Sequence, residues 1–168
     1  NEMILRECQT DEVRGYALNI QSASQNLLGI INDILDFSKI ESGKMEIFEN
    51  EYNLGKLLND TITMIDIKAK QKNLTFHTYI DESIPDTLIG DEIRIKQVLI
   101  NLLNNAVKYT PNGFIELEVK GNVNESKDMV SLEFLVKDSG IGIKKENLAT
   151  MFEGFQRFDL DKNRHIEG

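Results

Sequence analysis

The apolar residues between positions 11 and 43 recur every seven residues, and no proline interrupts them. Thr10 and Asp11 favour a helix start and Gly43 favours a helix end, so the pattern predicts one long helix. Its apolar stripe combines two lines of residues, Val13, Ile20, Leu27 and Ile34 with Tyr16, Ala23, Ile30 and Phe37, and is widened by Ala17, Leu28, Ile31 and Leu35. This stripe is wider than the seam of a two-stranded coiled coil and therefore favours a four-helix arrangement.

A short apolar group precedes the long helix. Met3, Ile4 and Leu5 look like the end of another helix, and a turn at residues 8–11 would join the two as an antiparallel hairpin. Because one hairpin cannot cover so wide a stripe, we expect it to pair with a second copy of the chain. The alternative is that the long helix packs on its own second domain.

Beyond Gly43 the pattern changes to alternating strands and helices, and a domain boundary is placed between residues 46 and 47. A short strand is predicted at Met45–Phe48, and a helix is predicted from Asn53 to Lys72. The inner face of that helix would carry Leu58, Ile62, Ile65 and Ala69. Alternation over residues 74–81 predicts a strand whose buried face carries Leu74, Phe76, Thr78 and Ile80.

A further helix is predicted from Asp91 to about Tyr109, where the sequence Thr110-Pro-Asn-Gly ends it. Two strands at 114–121 and 130–138 follow, joined by a polar hairpin loop. Their inward positions are Ile115, Leu117 and Val119 in the first and Val130, Leu132, Phe134 and Val136 in the second. The predicted fold class is therefore α+β, with a helical domain at 1–46 and a mixed α/β domain at 47–168.

Composition narrows the classes of function. The 168 residues are 40% apolar and 28% charged, which is typical of one or two globular domains. A net charge of −9 argues against a general nucleic-acid binder and against an anionic membrane surface as the main partner. The single Cys8 cannot form an internal disulfide. Because the sequence has no 18-residue apolar run, we expect no transmembrane helix, and we expect no secretory leader.

The helix at 91–109 carries a polar stripe, formed by Gln97, Asn101, Asn105 and Lys108. Its core side is expected to consist of Val98, Leu99, Leu102 and Ala106. Asparagine is a mediocre helix former, so the presence of Asn101, Asn104 and Asn105 indicates another demand on this helix. Amide oxygens suit Mg²⁺ and a lysine suits a phosphate, which together favour a polyphosphate ligand. The alternative is an ordinary solvated helix face.

Asp138 is an even number of residues from the inward-facing residues of its strand and therefore lies on the same face of the strand. Its carboxylate is expected to point into the apolar layer. A carboxylate there needs hydrogen-bond donors, and the edge of a nucleobase could supply them. Gly140 and Gly142 follow at once and would permit a close approach of backbone to ligand. The alternative is a strand-ending turn in which Asp138 bonds its own backbone.

The segment 151–158 contains three phenylalanines and is interpreted as a core anchor. A polar stretch follows it, from which Arg157 and Arg164 could reach an anionic ligand.

Four segments together resemble a bacterial sensor histidine kinase of the two-component type, and in particular the hybrid receptor kinases. Residues 33–44 (DILDFSKIESGK) resemble the end of the dimerisation and phosphotransfer helix, and 101–111 (NLLNNAVKYTP) resemble the asparagine box. Residues 138–142 (DSGIG) resemble the first glycine box and 152–158 (FEGFQRF) the phenylalanine box. The resemblance covers nearly the whole chain.

The resemblance implies a helical hairpin that forms a four-helix bundle in a homodimer, followed by a two-layer ATP-binding sandwich of the gyrase type. It implies Mg²⁺ on Asn105, phosphates at Asn101 and Lys108, adenine beside Tyr109, and the adenine amino group on Asp138. Gly140 and Gly142 would admit the nucleotide, Ile143 would line the base pocket, and Arg157 would approach the terminal phosphate. The implied partner is the receiver domain of a response regulator. The implied location is cytoplasmic, with any membrane anchor outside this chain.

Two departures from the family pattern affect the expected activity. The phosphoacceptor histidine should stand before residue 1, and neither His77 nor His165 has the helical context of an acceptor. The second glycine box should follow Gly168, so the sandwich is expected to be incomplete at its C-terminal end. We therefore expect this chain alone to bind nucleotide weakly and not to phosphorylate itself.

Two other functions remain open at this point. The chain could be a docking module that retains the fold without nucleotide chemistry. It could also be a hydrolytic ATPase of the same superfamily, although Asn101 stands where those enzymes carry a glutamate that activates water, and an amide cannot act as that base.

Overall fold

The computed structural model describes residues 2–7, 10–126 and 128–148. The chain divides into two compact units, one ending at Glu46 and the other beginning at Ile47.

The first unit contains helix α1 (Glu2–Glu7) and the long helix α2 (Asp11–Glu41). The Thr10 side chain caps α2 by accepting a hydrogen bond from the Val13 N–H, and Gly43 follows its end with a φ of +65°. The predicted long helix is therefore confirmed. Nine stripe residues of α2 are 44–60% exposed in the described structure: Val13, Tyr16, Ile20, Leu27, Leu28, Ile30, Ile31, Ile34 and Leu35.

The second unit contains β1 (Asn50–Asn53), α3 (Leu54–Gln71), β2 (Thr75–Ile80), β3 (Thr87–Gly90), α4 (Glu92–Tyr109), β4 (Phe114–Val123) and β5 (Val130–Asp138), then a 3₁₀ turn at Lys145–Asn147. Strands β1 and β3 form an antiparallel ribbon. In the other sheet, β4 pairs in parallel with β2 and antiparallel with β5.

The prediction of a strand at Met45–Phe48 is wrong, because the strand in this part of the chain is β1, at Asn50–Asn53. Its partner β3 ends at Gly90, which pairs with Asn50, so earlier residues have no strand to join. The Phe48 N–H donates instead to the Asp91 carboxylate at 3.1 Å. That bond and the capping bond from the Arg94 N–H lower the pKa of Asp91 below its usual value.

The core lies between helices α3 and α4 and one face of the sheet. Its fully buried residues include Leu57, Ile65, Leu99, Leu103, Ile115 and Leu117. The predicted inward faces of β4 and β5 are confirmed. The strand predicted at 74–81 is β2, of whose predicted inner face Leu74, just before the strand, is buried and Phe76 is half-buried. Thr78 and Ile80 are exposed because β2 is an edge strand of the sheet in the described residues, where it pairs with β4.

The predicted core face of α4 is wrong at two positions. Val98 is 60% exposed and Leu102 is 43% exposed, while Leu103 and Val107 are buried beside Leu99 and Ala106. Each residue turns the helix by about 100°, so residues 99, 103, 106 and 107 share a face that Val98 and Leu102 miss. The two exposed side chains are thus neighbours of Asn101 and Asn105.

This assignment of faces predicts unequal costs for two adjacent truncations. Leu103→Ala should lower the free energy of unfolding by about 2–5 kcal/mol because it leaves a cavity in the core. Leu102→Ala should lower it by less than about 1 kcal/mol. Urea denaturation followed by circular dichroism measures both, and a larger loss for Leu102→Ala would show that the helix faces are reversed.

Candidate functional site

The C-terminal end of α4 meets the turn that follows β5. The Ile141 N–H donates to the Tyr109 carbonyl at 3.2 Å. Next to it, the hydroxyl of the fully buried Thr110 donates to Asp138 Oδ1 at 3.5 Å. The asparagine-bearing helix and the glycine-containing turn, which are distant in sequence, are therefore neighbours in the fold.

Asp138 points toward α4, as its parity predicts, but it is exposed and not buried in the apolar layer. Asp138 pairs with Ile115 near the start of β4. Helix α4 ends at Tyr109, so it does not extend over the Asp138 side chain. Its Oδ1 also accepts from the Gly140 N–H at 2.8 Å, so the expected turn bonded to its own backbone is present as well. Among the described residues these hydrogen bonds reach Oδ1, which leaves Oδ2 able to accept from a ligand.

The two glycines of the turn have different roles. A Cβ on Gly140 would lie 2.3 Å from the Tyr109 carbonyl oxygen and 2.9 Å from Thr110 Oγ1. Gly140 is therefore required by close packing of one backbone on another. A Cβ on Gly142 would meet no atom within 4 Å, but its φ of +67° lies in the left-handed region.

Ser139 and Gly113 fasten the same turn to β4, and sequence reasoning did not single them out. Ser139 Oγ accepts from the Phe114 N–H at 2.9 Å. Gly113 has a φ of +114°, and a Cβ there would collide with Ser139 Oγ. The only sequence signal for this contact was the turn pair Asn112-Gly113.

The polar face of α4 brings four predicted residues together. Asn101 and Asn105 are exposed one turn apart, and Lys108 and Tyr109 are half-buried near the end of the helix. The Lys108 ammonium lies 5.3 Å from the centroid of the Tyr109 ring, within cation–π range.

Two other polar residues of α4 are already engaged within the protein. Asn104 Oδ1 accepts a hydrogen bond from Lys68 Nζ at 2.7 Å. The third asparagine of α4 therefore links this helix to α3. Gln97 Oε1 accepts from Arg94 Nη1 at 2.8 Å. Asn101 and Asn105 are therefore the better candidates for ligand contact.

Ile143 is 50% exposed after the turn and can offer an apolar surface. Arg157, Arg164, His165 and the phenylalanine segment at 152–158 lie outside the described residues. A cavity of about 660 Å³ opens elsewhere, between Ile80, Lys120 and Glu133 at the opposite ends of the strands. The candidate site is thus an open surface at the α4–β5 junction.

The comparisons with known proteins agree with this arrangement. The family model for histidine kinase-, DNA gyrase B- and HSP90-like ATPases matches residues 90–168. Hybrid signal transduction histidine kinase B of Dictyostelium discoideum is 39% identical over 98% of this chain, which is 8% of that protein. Sensor histidine kinase GacS of Pseudomonas protegens is 37% identical over 91% of this chain, which is 17% of that protein. The chain thus spans less than a fifth of these two relatives.

Solved structures show the same likeness. The full-length ShkA structure, in complex with AMPPNP, superposes with a TM-score of 0.72 at 24% identity over 93% of this chain and 32% of that one, which shows the fold. The catalytic domain of histidine kinase ThkA is 30% identical, with a TM-score of 0.52, over 73% of this chain and 81% of that one. ThkA has also been crystallised in complex with the response regulator protein TrrA.

The chain belongs to the sensor histidine kinases. The predicted α+β class is confirmed, and residues 90–168 lie in the ATP-binding kinase module. One of the relatives comes from Dictyostelium discoideum, so the family resemblance is not confined to bacteria. In the described part of the kinase chain, no helix has both the length and the apolarity to cross a bilayer.

The donor set of this kinase chain fits Mg²⁺ only together with a phosphate ligand. No group of three or more histidine, cysteine or acidic side chains within the described residues could hold a metal ion. Mg²⁺ commonly binds through one or two protein ligands, several waters and the phosphates of a substrate. An exposed amide such as Asn105 on a helix suits that mode.

The different roles of the two glycines predict different responses to substitution in this kinase module. Gly140→Ala should lower the free energy of unfolding by about 1–3 kcal/mol, because its Cβ overlaps the end of α4. Gly142→Asn should cost less than about 1 kcal/mol, since asparagine can adopt the left-handed region. Urea unfolding of both variants measures this, and equal losses would contradict the close contact at Gly140.

Proposed function

We propose that this chain is the dimerisation and ATP-binding part of a sensor histidine kinase. The complete protein would move the γ-phosphoryl group of ATP to a histidine outside this chain and then to an aspartate of a response regulator. The observation that supports this most directly is the junction at which Asp138 and Gly140 meet the end of α4. It lies within a segment that matches the ATPase family model.

Each candidate side chain has a chemical role in this proposal. Asn105 would supply an amide oxygen to Mg²⁺, and Asn101 and Lys108 would bind phosphate oxygens. Asp138 would accept a hydrogen bond from the adenine amino group through Oδ2. Bound Mg²⁺ would neutralise phosphate charge during transfer.

The remaining candidates shape the site around the base and the terminal phosphate. Tyr109 and Ile143 would provide apolar surface beside the adenine. Gly140, through its close packing on the end of α4, and Gly142, through its left-handed backbone, would let the turn approach the nucleotide. Arg157, outside the described residues, would approach the terminal phosphate.

The chemistry of Asn101 favours transfer over hydrolysis. An amide cannot take a proton from an attacking water at neutral pH, so no general base is available at that helical position. A protein nucleophile that brings its own basic nitrogen, such as histidine, does not need one.

The acceptor is proposed to lie outside this chain. His77 is on β2, where it pairs in register with Glu116, on the sheet face opposite to the buried Ile115 and Leu117. A phosphate bound on the exposed side of α4 would therefore be separated from His77 by the sheet. Stable label on this chain after incubation with γ-labelled Mg-ATP would contradict the proposal on this point.

A response-regulator partner is proposed from the same family membership. ThkA forms a complex with the response regulator protein TrrA. A receiver domain would supply the aspartate that accepts the phosphoryl group from histidine. A cytoplasmic location is proposed, since ATP and response regulators are cytoplasmic, with any membrane anchor in segments outside this chain.

Homodimerisation is proposed from the exposed stripe of α2. The nine stripe residues of α2 named above are each roughly half exposed. Such a surface is costly in water, and each Å² of it that a partner covers contributes about 25 cal/mol. A second copy of the hairpin would cover it as a four-helix bundle.

Nucleotide titration tests the proposed binding roles. Asp138→Asn should weaken binding of both adenosine and a non-hydrolysable ATP analogue about ten- to hundredfold, because it removes a charge-assisted hydrogen bond. Asn105→Ala should weaken binding of the ATP analogue only when Mg²⁺ is present. Isothermal titration calorimetry measures these affinities.

Asp128→Asn is the matched control, because Asp128 is an exposed aspartate bonded within its own loop at the start of β5. It should leave both affinities unchanged. If the unmodified chain bound no nucleotide, the docking-module alternative would gain support. Steady-state phosphate release without an acceptor histidine would favour the hydrolytic alternative.

Sedimentation equilibrium tests the dimer. Leu27→Glu places a charge on the exposed stripe of α2 and should convert a dimer into a monomer, because the buried carboxylate would be unpaired. Gln25→Glu adds the same charge on the opposite side of the helix and should leave the dimer intact. A monomeric unmodified chain at high micromolar concentration would contradict the proposed pairing.

A further inference from the structure

The last carbonyls of α4 receive hydrogen bonds from outside the helix. The four C-terminal carbonyls of any α-helix lack partners within it. Here Lys72 Nζ donates to the Val107 carbonyl at 2.9 Å and to the Lys108 carbonyl at 3.1 Å. The Ile141 N–H donates to the Tyr109 carbonyl. Three of the four carbonyls are therefore satisfied by α3 and by the turn after β5.

The backbone of Lys72 is itself held in place. Lys72 is the C-cap of α3, and its N–H donates to the Ala69 carbonyl at 3.0 Å. Asn73 follows with a φ of +57°, and Leu74 is buried in the core. The ammonium thus reaches α4 from a fixed helix end.

A second lysine, one helical turn earlier, makes a similar hydrogen bond to α4. Lys68 Nζ donates to Asn104 Oδ1. Lys68 lies on α3 four residues before the C-cap Lys72, and Asn104 lies four residues before Lys108 on α4. The two lysines therefore hydrogen-bond to two successive turns at the C-terminal end of α4.

The electrostatic effect of Lys72 matters for an anionic ligand. The carbonyl end of a helix carries about half a unit of negative charge, which disfavours a polyphosphate. The proposed phosphate contact Lys108 lies at this end of α4. An ammonium bound to the Val107 and Lys108 carbonyls offsets that negative charge and holds the backbone from which the Lys108 side chain extends.

We propose that Lys72 is a positioning residue for the nucleotide site, which caps the end of α4 and makes it compatible with the phosphates of ATP. This inference rests on the proposed function, because it assigns phosphate binding to Lys108. Lys72 acts through Lys108 and does not touch the ligand.

The test compares two ligands on the full 168-residue chain. Lys72→Met should weaken binding of a non-hydrolysable Mg-ATP analogue about three- to tenfold, which is the effect of losing ordinary hydrogen bonds. Adenosine, which lacks phosphates, should bind as before. Lys72→Arg should restore the affinity for the ATP analogue, because a guanidinium can also donate to two carbonyls.

Lys70→Met is the matched control. Lys70 lies two residues away on α3 and forms an exposed ion pair with Asp66, so its loss removes the same charge without freeing the end of α4. It should leave both affinities unchanged. An equal loss for adenosine and the ATP analogue, or no rescue by Lys72→Arg, would overturn the proposal.

Backbone amide exchange provides a readout that needs no nucleotide. Lys72→Met should speed exchange of the Lys108 and Tyr109 amides while leaving those of β4 unchanged, because only the last turn of α4 loses its cap. Unchanged exchange at Lys108 and Tyr109 would overturn the role of Lys72 even if nucleotide binding were absent. Absence of binding with the expected exchange would instead contradict the proposed function alone.

Discussion

The hydrogen bond from the Ile141 N–H to the Tyr109 carbonyl joins the end of α4 to the turn after β5. It forms only because Gly140 has no side chain to hold the two backbones apart. Beside this bond, Thr110 donates a hydrogen bond to Asp138. The exposed Asn101 and Asn105 lie in the preceding turns of α4. The candidate site therefore depends on one close approach of two backbone segments.

Net charge imposes a second constraint on the site. The chain carries −9, yet the ligand of its family is a polyanion. Attraction must then come from local cations and not from the overall field of the protein. Lys108 on α4 and Lys72, which is bound to the Val107 and Lys108 carbonyls, are the two such charges proposed above.

Much of the fold could be predicted from the sequence. The limits of α2, α3 and α4 follow from caps such as Thr10 and Asn53 and from apolar periodicity. The inward positions of β4 follow from alternation because this strand is central in the described sheet.

Other features could not be predicted, because they depend on partners distant in sequence. The apolar pairs at 98–99 and 102–103 allow two rotations of α4, and only packing on α3 and the sheet selects Leu99 and Leu103. The parity of Asp138 was predicted correctly, but its exposure depends on where α4 ends. The roles of Thr110 and Lys72 come from contacts that no local pattern encodes.

The parallel pairing of β2 with β4 has a consequence for the order of folding. Thr75 pairs with Phe114, so pairing β2 with β4 closes a long loop that contains β3 and α4. The hairpin of β4 and β5 closes a much shorter loop, and short loops close faster and at lower entropic cost. We therefore expect β2 to join last, after the hairpin and α4 have already formed the junction that carries the site.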